Sequence, residues 1–154
     1  MFLKRLCKKL SDRKVAYALV GGYAVALHGA VRGTVDIDFV IQWNQDNLNS
    51  AEEVLEELGL ISRLPLNAAE VFSYRDEYIN NRNLIAWNFY NPSNMAEQVD
   101  IIIDFNLSKQ SIVTMVVGED KVNVISIEQL IKMKQKAGRP QDLADIEALE
   151  KLSK

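Results

Sequence analysis

The sequence predicts a mixed α/β fold with a helical C-terminus. Short apolar runs of strand length alternate with segments of helical periodicity, and the C-terminal part carries start and stop signals for two helices. The chain has 154 residues, of which 48% are hydrophobic and 25% charged. This is the size and composition of an ordinary globular unit, so we expect a single domain over residues 1–154.

The first half of the chain is predicted to contain two strands and two helices. Phe and Leu recur at helical spacing between basic residues over 2–12, which predicts an amphipathic helix. The apolar run 15–20 has the pattern of a buried strand, and it is followed by two glycines and a helix over 23–28. Residues 35–41 then alternate between apolar and acidic side chains, which predicts a second strand.

The second half continues the alternation of helices and strands. Residues 45–59 predict a helix that Asn44 or Asp46 caps and Gly59 ends. The further predictions are strands over 84–90 and 99–105 joined by a turn at 91–94, a hairpin of 113–117 with 122–125, a helix over 128–136 that Ser126 caps and Gly138 ends, and a last helix from Pro140 to about Leu152. The sequence assigns no element to 65–83.

Charge and cysteine content exclude several classes of protein. The net charge of −3 and the pI near 5.2 give no broad basic field for a long polyanion. Cys7 is the only cysteine, so neither an internal disulfide nor a cysteine zinc site can form. The longest uncharged stretch, 15–31, is short for a membrane span, and basic residues interrupt the N-terminus where a signal peptide would be apolar. We expect a cytoplasmic protein without membrane partners.

Asp36 and Asp38 are the first candidate functional residues. They lie two apart on the second predicted strand, so their carboxylates leave the same face of the sheet a few ångströms from each other. Two such anions repel unless a hard cation lies between them, and Mg²⁺ binds one or two carboxylates together with water and substrate phosphates. The pair predicts Mg²⁺ as cofactor and a nucleotide as substrate.

Gly21 and Gly22 supply a complementary feature. Glycines between a strand and a helix let the backbone approach a phosphate chain closely and direct amide groups towards it. Thirteen residues separate Gly22 from Asp36, an interval that suits one short helix and a return turn. The glycine pair and the two acids are therefore expected to converge on a nucleoside triphosphate.

Asp100 is the candidate third carboxylate. It lies at the start of the strand predicted over 99–105, where it could face Asp36 and Asp38 across the sheet. In two-metal phosphoryl transfer, a third acid bridges a metal and activates the attacking hydroxyl. Asp104 on the same predicted strand is the alternative.

The residues 19–29, followed by Arg32, Thr34 and Asp36-Ile37-Asp38-Phe39, resemble the signature of the nucleotidyltransferase superfamily. In that signature a Gly-Gly or Gly-Ser pair is followed some ten residues later by an acid, a hydrophobic residue and an acid. The details at His28-Gly29 and at Arg32 and Thr34 look most like the AbiEii-type group of bacterial toxins. The run 133–146 is also similar to that group.

The resemblance implies a polymerase beta-like fold, a twisted mixed sheet flanked by helices. It implies Mg²⁺ bound by Asp36, Asp38 and Asp100, and transfer of a nucleoside monophosphate from an NTP such as ATP with release of pyrophosphate. Lys134, before the Gly-Arg turn, would lie near the phosphates. Arg32 and Thr34 would contact phosphate or only shape the turn. The acceptor is open between tRNA, a protein and a small molecule.

Other interpretations remain open from the sequence. A glycine pair alone usually marks a turn, and an isolated Asp-x-Asp is more often a solvated strand face. The chain could also be a degenerate member that binds nucleotide or a partner protein without turnover. The AbiEii-type resemblance raises a role as a toxin or in phage defence, with an antitoxin protein as partner.

Overall fold

The computed structural model describes residues 1–30, 33 and 36–152, and its central feature is a seven-stranded mixed β-sheet. Within this part of the chain the strands are β1 (Tyr17–Val20), β2 (Ile37–Ile41), β3 (Ile61–Ser62), β4 (Ala86–Asn91), β5 (Asn94–Ile102), β6 (Ile112–Val117) and β7 (Asp120–Ile125). The helices are α1 (Phe2–Asp12), α2 (Gly21–Leu27), α3 (Gln45–Glu57), α4 (Ala68–Ser73), α5 (Arg75–Arg82), α6 (Ile127–Ala137) and α7 (Pro140–Leu152), with a 3₁₀ turn at Lys109–Ser111. The predicted mixed α/β fold with a helical C-terminus is confirmed.

The strands are ordered β3-β4-β5-β2-β1-β7-β6 across the sheet. β1 and β2 are antiparallel, whereas β2 runs parallel to β5 and β1 runs parallel to β7. The hairpins β4-β5 and β6-β7 supply the remaining strands on the two sides, and β3 pairs with β4. The two strands predicted to carry the site therefore lie side by side in the middle of the sheet.

The core lies around β1 and β2. All four residues of β1 are buried, so both faces of the sheet are covered there. On β2 the apolar residues Ile37, Phe39 and Ile41 are buried, whereas Asp38 is only half-buried. Burial of these three apolar side chains anchors the strand. Asp38 points to the other face of the sheet, towards the cleft described below.

Several boundaries differ from the sequence prediction for physical reasons. α2 begins at Gly21 and not at residue 23, because Gly21 adopts a left-handed φ of 67° that turns the chain directly from strand into helix. β5 begins at Asn94 and ends at Ile102, since pairing with β4 extends it through the mostly exposed residues 94–98. The unassigned segment 65–83 forms α4, capped by Asn67, and α5, which has no buried residue to reveal it.

None of the helices in the described residues is long and apolar enough to cross a membrane. α3 and α7 contain 13 residues each, whereas a spanning helix needs about 20 predominantly apolar residues.

Candidate active site

A row of polar side chains crosses the sheet at the level of Asp38. In the strand register, Asp38 on β2 is paired with Val20 on β1 and with Asp100 on β5. Asp100 is in turn paired with Asn88 on β4. Because residues in register on adjacent strands share a face, Asp38, Asp100 and Asn88 project from the same side of the sheet. The structure thus brings together two of the three carboxylates that the sequence singled out.

Gly21 allows the Asp38 carboxylate to lie directly against the backbone where β1 turns into α2. A Cβ atom built at Gly21 would lie 2.2 Å from Oδ2 of Asp38, far inside van der Waals contact. Gly21 also has a φ of 67°, which side chains other than that of glycine rarely adopt. Gly22, the second residue of α2, is buried. The first glycine is therefore required by both backbone conformation and space.

Replacing Gly21 by Ala is expected to displace the Asp38 carboxylate. It should lower the rate of the nucleotidyl transfer that the sequence resemblance implies by about 100-fold, the scale of a 1 Å misplacement at a reacting centre. The matched control is Gly118→Ala, because Gly118 has a φ of 66° but its added Cβ would meet only the mobile end of Lys4. Both variants should lose about 1 kcal/mol of stability from backbone strain. Steady-state kinetics beside thermal unfolding checks this; equal rates for the two variants would contradict it.

The carboxylates share a common electrostatic field. Burial, together with the charge of Asp100, a hydrogen bond with Asp100 and the charge of Asp36, raises the pKa of Asp38 to about 7, although Lys134 acts in the opposite direction. Loss of surrounding water and the charge of Asp100 also raise the pKa of Asp36, and Arg63 partly offsets this. The site thus concentrates negative charge that a cation would relieve.

The acids fit a hard divalent cation whose coordination is completed by the substrate. Within the described residues, no group of three or more His, Cys, Asp or Glu side chains is close enough to hold a metal ion. Mg²⁺ does not require such a group, since it is commonly bound by one or two carboxylates plus water and substrate phosphates. Asp38 and Asp100, which are paired in register on adjacent strands and offer only oxygen ligands, meet that requirement.

The other candidate residues have different positions. Asp104 lies beyond the end of β5 and not on the strand, and its Oδ2 is 3.9 Å from Nζ of Lys136. Asp104 is therefore out of register with Asp38, whereas Asp100 is in register. Arg32 and Thr34 lie outside the described residues.

Lys134 is buried in a polar cluster between α6 and α7. Its side chain is only 7% exposed, and its Nζ lies 2.9 Å from Oδ2 of Asp145 and 3.4 Å from Oδ1 of Asp142. Arg139 donates from Nε to Oδ2 of Asp142 over 2.7 Å, and its backbone amide donates to the same oxygen. Burial alone would raise the pKa of Asp142, but these hydrogen bonds from Arg139 outweigh it and lower the pKa. The ammonium group predicted to face phosphate is thus held by two carboxylates.

A cleft of about 390 Å³ lies between the sheet and the C-terminal helices. Its polar wall contains Gly21, Asp38, Asp104, Lys134, Lys136, Arg139 and Asp142, and its apolar wall contains Val20, Ile85, Ile102, Phe105, Leu130, Met133 and Ala137. The Arg139 side chain is 75% exposed, so it offers a cation to the cleft more readily than Lys134 does. The cleft thus brings Asp38 and the glycine turn together with two accessible cations, Lys136 and Arg139.

Sequence reasoning missed four residues that structure the site. Asp142 and Asp145 are three apart at the start of α7, so they lie on one helical face, and this spacing is a signal that could have been read. Arg139 had no signal beyond its place in the Gly-Arg turn. Asn88 could be found only from the β4-β5 register, because nothing in the run 84–90 distinguishes it.

Comparison with known proteins identifies a family for this chain. The family model for aminoglycoside-2''-adenylyltransferase matches residues 2–149. No curated protein sequence matches the chain.

Solved structures share the fold at low sequence identity. ANT(2'')-Ia in complex with adenylyl-2''-tobramycin is 15% identical with a TM-score of 0.63, over 99% of this chain and 91% of that one. The lincosamide antibiotic adenylyltransferase LnuA, bound to lincomycin, is 15% identical with a TM-score of 0.60, over 92% and 90%. A Thermotoga maritima protein assigned as a nucleotidyltransferase is 14% identical with a TM-score of 0.64, over 95% and 88%.

The predicted superfamily is confirmed by these comparisons, whereas the closer resemblance to the AbiEii-type group stays a prediction. The match of the family model extends over nearly the whole chain, from α1 to the last turns of α7. The chain therefore belongs to the aminoglycoside-2''-adenylyltransferase family and is a nucleotidyltransferase, an enzyme that transfers a nucleotidyl group to a hydroxyl acceptor.

Proposed function

We propose that this enzyme is Mg²⁺-dependent and transfers a nucleoside monophosphate, with AMP the first to test, to a hydroxyl of a small polyhydroxylated molecule. The observation that carries the proposal is the Asp38-Asp100 pair, held in register on adjacent strands and packed against a glycine that has no room for a side chain. Such a pair of close carboxylates is the arrangement that a metal and triphosphate site needs.

The donor would bind at the junction of β1 and α2. We assign Asp36, Asp38 and Asp100 as ligands of Mg²⁺, which when bound would neutralise charge on the triphosphate. The backbone at Gly21 and Gly22 lets a phosphate chain approach, and Arg139, 75% exposed at the cleft, supplies a cation for the departing pyrophosphate. Lys134 acts in this proposal through the field it exerts on Asp38.

The transfer itself needs a proton acceptor. We assign this role to Asp100, which is paired with Asp38 in the strand register and whose Oδ1 accepts a hydrogen bond from Asn88. The acceptor hydroxyl loses its proton to Asp100 and its oxygen bonds to the α-phosphorus. The bond from that phosphorus to the bridging oxygen breaks, and pyrophosphate leaves.

Three observations favour a small acceptor over tRNA or a protein. The family takes its name from adenylation of aminoglycosides. The net charge is −3, which disfavours a long polyanion. The cleft of about 390 Å³ matches the size range of small-molecule sites and has a mainly apolar wall with a few polar groups.

A toxin function with an antitoxin partner, and a cytoplasmic location, stay predictions. An antitoxin partner and a toxin function rest on the AbiEii-type resemblance alone. A cytoplasmic location is proposed from the single free cysteine, Cys7, which is buried and whose pKa burial raises to about 11.

The test supplies the protein with Mg²⁺, each α-labelled NTP and three acceptor sets: an aminoglycoside and lincosamide panel, total tRNA, and cell-extract protein. We expect label in a small molecule, with one pyrophosphate released for each labelled product. Label in tRNA or protein would refute the proposed acceptor class. Nucleotide binding by calorimetry without pyrophosphate release in any set would refute turnover and favour the degenerate alternative.

A further inference from the structure

A chain of hydrogen bonds leads from Asp100 away from the cleft to a basic residue. Asn88 Nδ2 donates to Oδ1 of Asp100 over 2.8 Å. Arg63 Nε donates to Oδ1 of the same Asn88 amide over 2.7 Å. The backbone amide of Arg63 also donates to the Asn88 carbonyl oxygen, over 2.9 Å. Arg63, Asn88 and Asp100 therefore form a continuous relay across β4 and β5.

The relay fixes the orientation of the Asn88 amide. A guanidinium group only donates hydrogen bonds, so the Asn88 atom that faces Arg63 must be the carbonyl oxygen. The amide nitrogen is then directed at Asp100, which can only accept when ionised. Arg63 and Asp100 therefore favour the same orientation of the amide, and loss of Arg63 would remove one of the two contacts that hold it. Arg63 thereby restrains the end of Asn88 that meets Asp100.

Arg63 is itself held in place by a second contact. Its guanidinium carbon lies 4.5 Å from the centre of the Tyr90 ring, in the range of a cation–π interaction. Tyr90 and Asn88 are two apart on β4, so both present side chains on one face. The charge of Arg63 also reaches Asp36. Arg63 thus acts on Asp36 through its charge and on Asp100 through Asn88.

We propose that Asn88 is a positioning residue for nucleotidyl transfer. It holds the Asp100 carboxylate in the orientation needed at the metal and the acceptor hydroxyl. Arg63 acts through Asn88 by restraining the orientation of its side-chain amide. The inference rests on the proposed function, because it assigns Asp100 to that site. In this proposal Asn88 and Arg63 are assigned no contact with the substrate and act through Asp100. Mutation of a residue that hydrogen-bonds a metal ligand typically lowers metal affinity or activity by about 10- to 100-fold.

The chain offers a matched control for Asn88. Asn91 lies on the same strand and donates from Nδ2 to Oε1 of Glu97 on β5 over 2.8 Å. This is the same kind of bond between the same two strands, at the same distance, but it does not involve the carboxylates of the site. Asn88→Ala and Asn91→Ala should therefore lower the thermal midpoint by similar amounts. They should differ in function only if Asn88 positions Asp100.

The experiment measures three quantities for the parent and the two variants. They are kcat and KM for NTP, and the affinity for Mn²⁺ by calorimetry in the absence of nucleotide. We expect Asn88→Ala to lower kcat by about 10- to 100-fold with KM changed less than about threefold, and to weaken Mn²⁺ binding by about 10-fold. Asn91→Ala should leave all three within about twofold. Equal values for the two variants would overturn the inference.

Variants of Arg63 test the second half of the proposal. Arg63→Lys keeps a donor for Asn88 and should retain most of the parent kcat and Mn²⁺ affinity, whereas Arg63→Met should lose both. If Arg63 acts through Asn88, adding Arg63→Met to Asn88→Ala should cost little more than Asn88→Ala alone. Additive losses would contradict the relay. An inactive parent would refute the proposed function instead, while its Mn²⁺ measurements would still test the positioning of Asp100.

Discussion

Asp38→Asn is expected to abolish nucleotidyl transfer and at the same time to stabilise the metal-free protein above neutral pH. The rate should fall by about 10³-fold, since the substitution removes a charge on which the assigned metal and triphosphate site depends. The gain in stability follows from the pKa of Asp38. Burial and the neighbouring acids raise that pKa from 3.8 to about 7 in the folded protein.

The sign of the pH dependence follows from proton binding. Between about pH 4 and pH 7 the folded state holds a proton on Asp38 that the unfolded state has lost, so stability falls as the pH rises. The stabilising contribution is fully present below about pH 4 and is lost as the pH passes through 7. Asn carries no such proton. The variant should therefore exceed the parent by on the order of 1–3 kcal/mol at pH 8 and match it at pH 4.

Thermal or denaturant unfolding in EDTA across this pH range measures the effect, beside the transfer assay. The matched control is Asp104→Asn, which removes the same charge from the same cleft but lies outside the β2-β5 register and has Lys136 at 3.9 Å. Asp104→Asn should retain most activity. If Asp104→Asn loses activity and Asp38→Asn does not, the metal ligand is Asp104 and not Asp38.

Lys134→Met is expected to cost about 3–5 kcal/mol of folding free energy. The substitution removes the ammonium group that lies 2.9 Å from Asp145 and 3.4 Å from Asp142. Both aspartates are nearly fully buried. Arg139 would still bind Asp142, but removing the lysine from a buried cluster leaves its carboxylates with less compensating charge. Because the cluster joins α6 to α7, unfolding should begin with detachment of the C-terminal helix.

Two further variants isolate the cause of this loss. Lys136→Met, on the same helix, removes an 80% exposed lysine, and should cost less than about 1 kcal/mol. The triple variant Lys134→Met, Asp142→Asn, Asp145→Asn removes the lysine together with both carboxylates that it contacts and should recover part of the loss. Urea unfolding of the three proteins gives the comparison. A Lys134→Met protein as stable as Lys136→Met would show that the cluster contributes nothing to the fold.

Much of the fold and part of the site could be predicted because their signals are local. The Asn44 and Ser126 caps, the stop at Gly138 and the alternation around Asp38 depend on neighbouring residues alone. The sequence also predicts that Asp100 lies close to Asp38, because Asp38 lies within one apolar strand and Asp100 near the start of another. These features need only the period of a strand and the chemistry of glycine, proline and capping residues.

The remainder depended on pairings across the chain. The family resemblance places Lys134 near the phosphates. In the structure Asp142 and Asp145, which follow it by 8 and 11 residues, fold back against its ammonium group and bury it. The orientation of Asn88 depends on Arg63, 25 residues away. No local pattern encodes such contacts, because strand register and helix packing decide them. Helix α5 was missed because its residues are all solvent-accessible and carry no apolar stripe.

The central claim is that the Asp38-Asp100 pair beside Gly21 holds the metal and the triphosphate. A crystal structure of the protein with Mn²⁺ and an NTP whose α,β-bridge cannot be cleaved tests it directly, since Mn²⁺ is located by its anomalous scattering. We predict Mn²⁺ within about 2.5 Å of oxygens of Asp38 and of Asp36 or Asp100, with the triphosphate along Gly21 and Gly22. Mn²⁺ and nucleotide bound elsewhere, with the Asp38-Asp100 pair still sharing its hydrogen bond, would contradict the claim.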